Sequence, residues 1–384
     1  MSNYTCFARS LIFTIISFGI LMHEFVEGKT TSNTATSIIK TIKGDNREII
    51  DCYDIYSQPA FNNPLLRNHK IQMEPSSYPK GVQPKDQGIF KLTQSWHKYG
   101  LCPEGTVPVR RSRKNYNPRA SISSTRQLFP SLMDATTTVE YAIITPDGDT
   151  FQGAQASINI WKPLIEQPEE YSTSQIWIST GHMQEVIITG WEVNKKLYDD
   201  NEPRFTLHWT ADKFNTTGCY NIYCPGFVQT TSKISLGSNF DHISIINGTQ
   251  YSSTFVMFQE KSTGNWWLQL EGIVVGYWPH LLFKQLSVKA TRTDFGGFVL
   301  NTKPNGRHTN TQMGSGHFPS EGAFGISSFF DRVKVVDGNY ESKIPKYVTK
   351  SITNPNCYDL ILDKDDSSGI KFNYGGPGFS STCQ

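Results

Sequence analysis

The chain has 384 residues, of which 18% are charged and 12% aromatic, a composition that allows a sizeable buried core and excludes a disordered protein. Its charge is uneven: residues 29–135 carry 16 Lys/Arg against 8 Asp/Glu, a net of +8, whereas residues 136–384 carry 19 against 24, a net of −5. This uneven distribution of charge has two explanations: chance together with solubility, or a basic prosegment that docks on an acidic body. No aromatic-rich recognition motif accompanies the basic residues, so nucleic-acid binding is not predicted.

The N-terminus has the features of a secretory signal peptide, which we place at residues 1–28. Arg9 supplies a small positive region, Leu11–Met22 is mostly apolar, and Gly28 is a small residue suited to cleavage. The apolar stretch is short for a membrane span, so stable membrane insertion is not predicted, although a membrane anchor is the alternative.

Cysteine usage also indicates export. The chain has 7 cysteines, and Cys6 lies in the predicted signal peptide, which leaves an even number for an oxidising compartment. Locality favours three bridges, although six cysteines allow fifteen connectivities. The favoured pairs are Cys52–Cys102, Cys219–Cys224 and Cys357–Cys383. A zinc site at Cys219 and Cys224 is the rival, but no second Cys/His pair has ligand-like spacing, so no metal is predicted.

A boundary is predicted between Arg110 and about residue 130. Residues 110–124 are rich in Arg, Pro and Ser, which is typical of an exposed linker open to proteolysis. The basic pairs Arg110-Arg111 and Arg113-Lys114 are candidate sites for a processing protease. We therefore divide the chain after its signal peptide into a prosegment, 29–130, and a main domain, 131–384.

The main domain shows a β pattern. Alternating apolar and polar residues around 154–160, 205–210 and 268–271 predict strands with one buried face. Turn signals recur between them, and no long stretch has helical periodicity. The expected fold is an all-β, two-sheet antiparallel sandwich of jelly-roll type, preceded by the small prosegment.

Generic catalytic motifs are scarce. The sequence has no HExxH, Walker loop, GxGxxG or GxSxG, so no cofactor is predicted. Ser315 has glycines on both sides and could share a strand face with His317 as a nucleophile–base pair, although such glycines more often mark a bend. His308 and His317 are the histidines most expected to matter, and a structural role is favoured for each.

Longer motifs resemble one known family. They run in order through 140–163, 205–212, 217–229, 265–268, 276–279, 308–318 and 375–378, with upstream matches at 51–56, 64–66, 69–72 and 100–111. Together they resemble the neprosin family of plants: a secretory signal, a removable activation region and a two-sheet β domain. The resemblance implies a glutamic endopeptidase that cuts next to proline, with one glutamate three residues before the Trp of Glu-x-Gly-Trp and another ending Phe/Trp-Gly-Gly-Glu.

This sequence departs from the family pattern at both glutamates. Ile188 stands in Ile188-Thr189-Gly190-Trp191 and Phe298 ends Phe295-Gly296-Gly297-Phe298. Two neighbouring carboxyls divide acid and base roles because they cannot both ionise, and neither replacement can exchange a proton. Four other carboxylates could substitute, although a role as ordinary surface or hydrogen-bonded residues is favoured for them. They are Glu185, Glu192, Glu271 and Asp294.

The leading hypothesis is a secreted, catalytically degenerate homologue that binds a peptide, a protein or a cell-wall ligand, with a proline-rich partner as one candidate. An active proline-directed peptidase and a carbohydrate-binding sandwich are the alternatives. Two sequons, at Asn215 and Asn247, predict glycosylation. The expected location is extracellular, in the apoplast or cell wall, with the vacuole as the alternative.

Overall fold

A computed structural model describes residues 38–45, 48–82, 94–112, 138–303, 307–363 and 367–384. The predicted signal peptide, the pair Arg113-Lys114 and most of the predicted linker lie outside these residues. The strands are β1 Ile38–Lys43, β2 Ile49–Asp54, β3 Thr106–Arg110, β4 Thr138–Pro146, β5 Phe151–Asn159, β6 Tyr171–Ser179, β7 Val186–Asn194, β8 Arg204–Thr210, β9 Cys219–Tyr220, β10 Val228–Gln229, β11 Ser252–Gln259, β12 Trp266–Leu270, β13 Ile273–Trp278, β14 Arg292–Asn301, β15 Ser328–Asp337, β16 Ser342–Lys343, β17 Val348–Ile352, β18 Asp359–Leu362 and β19 Ile370–Gly375.

Helices are few and short in the described residues. The one α-helix, α1, is Lys195–Tyr198, and the 3₁₀ turns are Ile55–Ser57, Pro59–Asn62, Pro64–Leu66, Ser95–Tyr99, Gly181–Met183, His280–Leu282 and Pro319–Glu321. This agrees with the absence of helical periodicity in the main domain. None of the helices in the described part of the chain has the length and apolarity to cross a membrane.

The strands form three sheets, and the named strands pair antiparallel. Residues 38–45, 48–82 and 94–112 lie in the predicted prosegment, and we call them the activation region. They contribute a 3-stranded sheet, β1-β2-β3. A 7-stranded sheet has the order β17-β4-β14-β6-β7-β8-β9, and a 9-stranded sheet has the order β10-β13-β12-β11-β5-β15-β19-β18, with β16 beside β15. The predicted all-β, two-sheet antiparallel fold is confirmed.

The two large sheets pack face to face over one apolar core. Alternate residues of each strand point inward, so Ala156 and Ile158 of β5 join Ile178 of β6 and Leu207 of β8 in the same buried cluster. The sequence predicts that one face of β8 is buried, but both faces are, because all seven of its residues are buried. Its outward-facing Thr206 and His208 are therefore polar side chains in a buried position, which directs attention to that face.

The activation region shares the main domain's core. Ile55, Leu66, Val107 and Val109 belong to the same apolar cluster as the two large sheets. Residues that bury apolar side chains in one core are held by the hydrophobic effect, at about 25 cal/mol per Å² of apolar surface removed from water. Docking of this region therefore does not depend on net charge alone.

Polar contacts complete this docking. The Tyr277 hydroxyl lies 2.6 Å from the His69 Nε2 atom and accepts a hydrogen bond from the Gln72 backbone N–H. The Gln58 side chain both donates to the backbone carbonyl of Gln229 and accepts from its N–H. Because these groups are uncharged, salt cannot screen the contacts that they make.

The structure corrects the predicted position of the basic linker. Arg110 ends β3 and is 9% exposed, paired with Ile50 in the neighbouring strand. The Arg111 guanidinium donates two hydrogen bonds to the Asp51 carboxylate, at 2.6 and 2.7 Å. Both arginines are joined to the folded activation region: the Arg111 N–H donates to the Ile49 carbonyl of β2, and the Arg110 side chain forms an ion pair with Glu48, the residue before β2, at 3.7 Å. Arg110 is buried, whereas the Arg111 side chain is 49% exposed.

Candidate functional site

The candidate site lies on the outer face of the 7-stranded sheet, which faces away from the sandwich core. Directly paired residues of antiparallel strands point to the same face, so the strand register defines three rows of side chains across β14, β6, β7 and β8. The upper row contains Asp294, Trp177, Ile188 and His208; the middle row contains Gly296, Gln175, Gly190 and Thr206; the lower row contains Phe298, Thr173, Glu192 and Arg204.

The two positions where glutamate is expected hold one apolar cluster together. Ile188 is 0% exposed and is paired with Trp177, whose ring centroid lies 4.1 Å from that of Phe298. Leu300 of β14 and Phe214 of the loop after β8 belong to the same cluster. The fold therefore brings the two replaced positions to the same surface, on either side of Trp177, and neither side chain can carry a proton.

The middle row is kept almost free of side chains by two glycines. Gly190 and Gly296 have φ values of +154° and +152°, and a Cβ atom would lie 2.1 Å from the Ser174 carbonyl oxygen and 2.2 Å from the Ala142 carbonyl oxygen, respectively. Only glycine fits such a backbone conformation and such a close approach. The two glycines leave a strip without side chains on both sides of Gln175, the row's one long side chain, and we call this strip the trough.

Gln175 was not found by the sequence reasoning. It is 1% exposed, and its side-chain nitrogen has no hydrogen-bond partner. An unpaired buried N–H donor is costly, by about 1–3 kcal/mol, and so marks a position where a ligand carbonyl or a water molecule can be accepted. The alternation of β6 could place Gln175 on a face, but nothing local could show that both neighbours in its row are glycines.

Three of the four substitute carboxylates are already engaged. Asp294 accepts hydrogen bonds from Thr145 at 2.5 Å and from Arg292 at 2.7 Å. Glu185 accepts three backbone N–H bonds, at 2.8, 2.9 and 2.7 Å, from residues 284–286, and so it fixes that loop. Glu271 accepts from the Thr254 backbone N–H at 2.5 Å. These contacts give each carboxylate a structural role.

Glu192 is different, because neither of its oxygens has a hydrogen-bond partner although the residue is 0% exposed. Its Oε2 atom lies 3.4 Å from the Nε2 atom of His208, an ion-pair distance without hydrogen-bond alignment. The two side chains approach each other across the middle row at Gly190, Glu192 from the lower row and His208 from the upper row. Sequence reasoning considered Glu192 but could not pair it with His208.

The lower row's cation is directed away from Glu192. Arg204 is paired with Glu192 in the strand register, but its guanidinium donates to Glu48 of the activation region, to Asp200 and to the Gly237 carbonyl. Its face also packs on the Tyr198 ring, 5.0 Å from the ring centroid. The activation region is thus bound beside this end of the candidate site.

The proposed Ser315–His317 pair is not formed. Gly314 and Gly316 have φ values of +62° and +83°, so the segment is a turn and not a strand. The His317 ring bonds Glu321 at 2.8 Å, and the Ser315 hydroxyl accepts the His317 backbone N–H at 3.3 Å. The imidazole therefore points away from the hydroxyl that it would have to activate.

His308 has a structural contact. Its Nε2 atom lies 2.9 Å from the Glu140 carboxylate of β4. Burial opposes a charge on the imidazole, but the hydrogen bond and charge of Glu140 outweigh burial and raise the pKa of His308. The pair connects the loop before residue 309 to the sheet edge, away from the three rows.

Three disulfide bonds match the pairings favoured by locality. They join Cys52 to Cys102, Cys219 to Cys224, and Cys357 to Cys383. Cys219 and Cys224 are bonded to each other, so they do not form the rival zinc site. The sequon residues Asn215 and Asn247 are both exposed, in loops of the main domain.

Together, the strand pairings define a two-sheet antiparallel β-sandwich with a docked activation region, and the three rows mark one face of its 7-stranded sheet as the candidate site. The neprosin family profile matches residues 168–377 and the neprosin activation peptide profile matches residues 38–152. The chain belongs to the neprosin family.

Similar solved structures include two peptidases at low identity. Scytalido-glutamic peptidase with a transition-state analogue inhibitor is 13% identical, with 62% of this chain and 98% of that chain covered and a TM-score of 0.35. SCP-B, a member of the eqolisin family in complex with the tripeptide Ala-Ile-His, is 12% identical, with 62% and 96% covered and a TM-score of 0.31.

Proposed function

We propose that this neprosin-family protein is a secreted, catalytically degenerate peptidase homologue that binds a peptide, with proline-rich segments as the expected ligands, in the trough of the 7-stranded sheet. One observation carries the proposal: Ile188 and Phe298 occupy the glutamate positions and pack around Trp177 in a single apolar cluster. An acid–base mechanism with two carboxyls cannot operate from two hydrocarbon side chains.

The remaining carboxylates on this face do not rebuild the lost pair. Asp294 is held by Arg292 and Thr145, whereas Glu192 has a histidine as its ionisable neighbour. A displaced glutamic peptidase would need two carboxylates within hydrogen-bond reach of each other, and the hydrogen bonds of the described residues contain no such pair on this face.

The trough supports peptide binding. Two glycines leave room for an extended backbone on either side of Gln175, whose unpaired amide nitrogen can donate to a ligand carbonyl. Main-chain amides of a peptide offer both a donor and an acceptor at each residue, which suits a surface with unpaired groups of both kinds.

The tryptophans do not favour the carbohydrate-binding alternative. The chain has 8 tryptophans, and each is at most 4% exposed, so the structure offers no tryptophan platform for stacking a sugar ring. Secretion is supported by the three disulfides, which are compatible with an oxidising compartment such as the apoplast.

The test is a cleavage assay on a proline-rich peptide between about pH 2.5 and 6, where carboxyl pairs function. The full chain, before and after its linker is cut by a separate protease, should show no turnover. The matched variant carries both Ile188→Glu and Phe298→Glu, and should gain acid cleavage that neither single variant shows. Turnover by the unmodified chain that a single local Asp or Glu substitution abolishes would show that the site is still an enzyme.

A further inference from the structure

The three rows, together with Tyr171 at the start of β6, contain a set of buried polar atoms on the outer face of the sheet. Each residue of the set is at most 3% exposed, and the atoms have no hydrogen-bond partner. They are the hydroxyls of Tyr171, Thr173 and Thr206, both carboxylate oxygens of Glu192 and both ring nitrogens of His208. We refer to these five residues as the Glu192 cluster.

The strand register places the cluster on one patch of the sheet. Thr173 of β6 is paired directly with Glu192 of β7, and Thr206 of β8 is paired with Gly190, two residues from Glu192. Tyr171 is two residues from Thr173 on the same face of β6. The unpaired oxygens thus come from three neighbouring strands, in the middle row, the lower row and the end of β6 beyond it.

Most atoms of the cluster can accept a hydrogen bond. Carboxylate and hydroxyl oxygens have free lone pairs, and a neutral imidazole has one accepting nitrogen. A buried carboxylate that receives no hydrogen bond is among the costliest arrangements in a protein. The cation paired with it in the strand register, Arg204, is directed instead to Glu48 and Asp200. A ligand that completes the cluster must therefore donate hydrogen bonds and carry positive charge.

We propose that the Glu192 cluster binds the ammonium group of a lysine side chain in the peptide held by the trough, an inference that rests on the proposed peptide-binding function. An ammonium has three N–H donors in a tetrahedral arrangement, which suits oxygens converging from three strands. A guanidinium is planar and pairs best with a coplanar carboxylate, so it fits this arrangement less well. Tyr171 follows on the same face of β6, two residues from Thr173, which is paired with Glu192, and aromatic rings contribute to sites that receive ammonium groups.

A second observation agrees with this assignment. Burial first, and then the charge of Glu192, raise the pKa of Tyr171. Its phenol therefore remains protonated and neutral, with a lone pair available to a cation. The Glu192 charge also contributes to a raised pKa at Tyr198, after burial. The negative charge thus acts on the whole lower end of the trough.

The experiment measures binding of fluorescent proline-containing peptides to the full-length protein by fluorescence polarisation. Three peptides differ at one position, which is lysine, arginine or norleucine, the last having lysine's aliphatic length without its charge. The unmodified protein should bind the lysine peptide at least about tenfold more tightly than the norleucine peptide, since one charge-assisted contact of about 1.4 kcal/mol gives that factor. The arginine peptide should fall between them.

The variant Glu192→Gln should reduce the lysine preference to less than twofold while leaving the norleucine affinity unchanged. Its matched control is Glu321→Gln, the same substitution in an exposed Glu–His pair whose atoms lie 2.8 Å apart, and this control should keep the full preference. If Glu192→Gln does not fold, Glu192→Asp, which retracts the charge by one methylene, should weaken the lysine peptide selectively.

The outcomes separate the two proposals. Equal affinity for the lysine and norleucine peptides would overturn the proposed lysine site but leave peptide binding intact. A preference for the arginine peptide over the lysine peptide would have the same consequence. If none of the three peptides binds, the proposed peptide binding is refuted. The lysine site is then tested with N-acetyl-lysine methylamide. A rise in the melting temperature of the unmodified protein that is lost in Glu192→Gln supports the lysine site, and no rise overturns it.

Discussion

Glu260 holds the activation region, and its replacement by glutamine is the most informative perturbation of docking. The residue follows β11 and is 0% exposed. It accepts hydrogen bonds from the Ser76 backbone N–H and hydroxyl, both at 2.5 Å, and from the Gln72 amide at 3.0 and 3.1 Å. Thr263 and the Trp267 indole, from the main domain, donate to its other side. One carboxylate therefore joins residues of the activation region to the main domain.

The expected loss follows from the number of donors. Every neighbour of Glu260 donates, so the side-chain NH₂ of Glu260→Gln must face a donor whichever way the amide is turned. At least two hydrogen bonds to a charged acceptor are then lost, at about 1.5–3 kcal/mol each. The free energy of unfolding should fall by about 3–5 kcal/mol near neutral pH.

The same contact should be sensitive to acid. Burial raises the pKa of Glu260, but the hydrogen bonds from Ser76, Thr263 and Gln72 outweigh burial and lower it. A carboxyl whose pKa is lowered in the folded state stabilises that state above its ordinary pKa, near 4.3, and this stabilisation is lost as the pH falls through the folded-state value. The unmodified chain should therefore lose docking stability in this acidic range, and Glu260→Gln should lose less.

The assay is guanidinium unfolding followed by tryptophan fluorescence, at neutral pH and at several acidic pH values, with hydrogen exchange of residues 69–82 as a local readout. Glu74→Gln is the matched control, because Glu74 is exposed on the same segment. It should change stability by less than about 0.5 kcal/mol. A Glu260→Gln protein as stable as the control, or with an unchanged acid response, would refute the reasoning.

Three further predictions concern the sheet, the maturation site and pH. Gly190→Ala should destabilise the fold by more than about 2 kcal/mol in urea unfolding, because its Cβ would overlap a carbonyl oxygen, whereas Gly181→Ala, with no atom within 4 Å, should cost less than about 0.5 kcal/mol. Trypsin should cut after Arg110 or Arg111 at least about tenfold more slowly in the native protein than in urea, as mass spectrometry would show; equal rates would contradict their folded position. His308 has a raised pKa, so its contact stabilises the fold below about pH 6.5 and this contribution is lost as the pH rises through the folded-state pKa; His308→Gln should remove that dependence, and an unchanged pH profile would count against it.

Local sequence patterns gave the strands but not their partners. The alternation at 154–160 predicts the inward-facing Ala156 and Ile158 of β5, since a strand exposes its two faces in turn. A strand rises about 3.3 Å per residue, so Glu192, four residues along β7 from position 188, is roughly 13 Å away and too far to replace a glutamate there. What alternation could not show was the neighbour of Glu192, because His208 reaches it through the register of β7 and β8.

For Arg110 and Arg111, the prediction from local composition differs from the fold. Its composition is typical of an exposed linker, and composition is all that a local reading can use. In the fold, β2 lies beside these residues and supplies both a backbone partner for Arg110 and the Asp51 carboxylate for Arg111. Contacts with residues 60 positions earlier in the chain therefore decided the position of the two arginines.

The sequence by itself determined the all-β class, the favoured disulfide pairings and the absence of glutamate at positions 188 and 298, because each depends on residue identity or on neighbours close along the chain. Tertiary structure alone decided that these two positions share one surface around Trp177, that Gln175 lies between two glycines, and that Glu192 is buried beside His208 without a hydrogen bond. The physical reason is register: the pairing of β14 and β6 brings together residues such as Phe298 and Thr173, which are 125 positions apart, and no local pattern specifies which residue of one strand lies opposite which residue of the next.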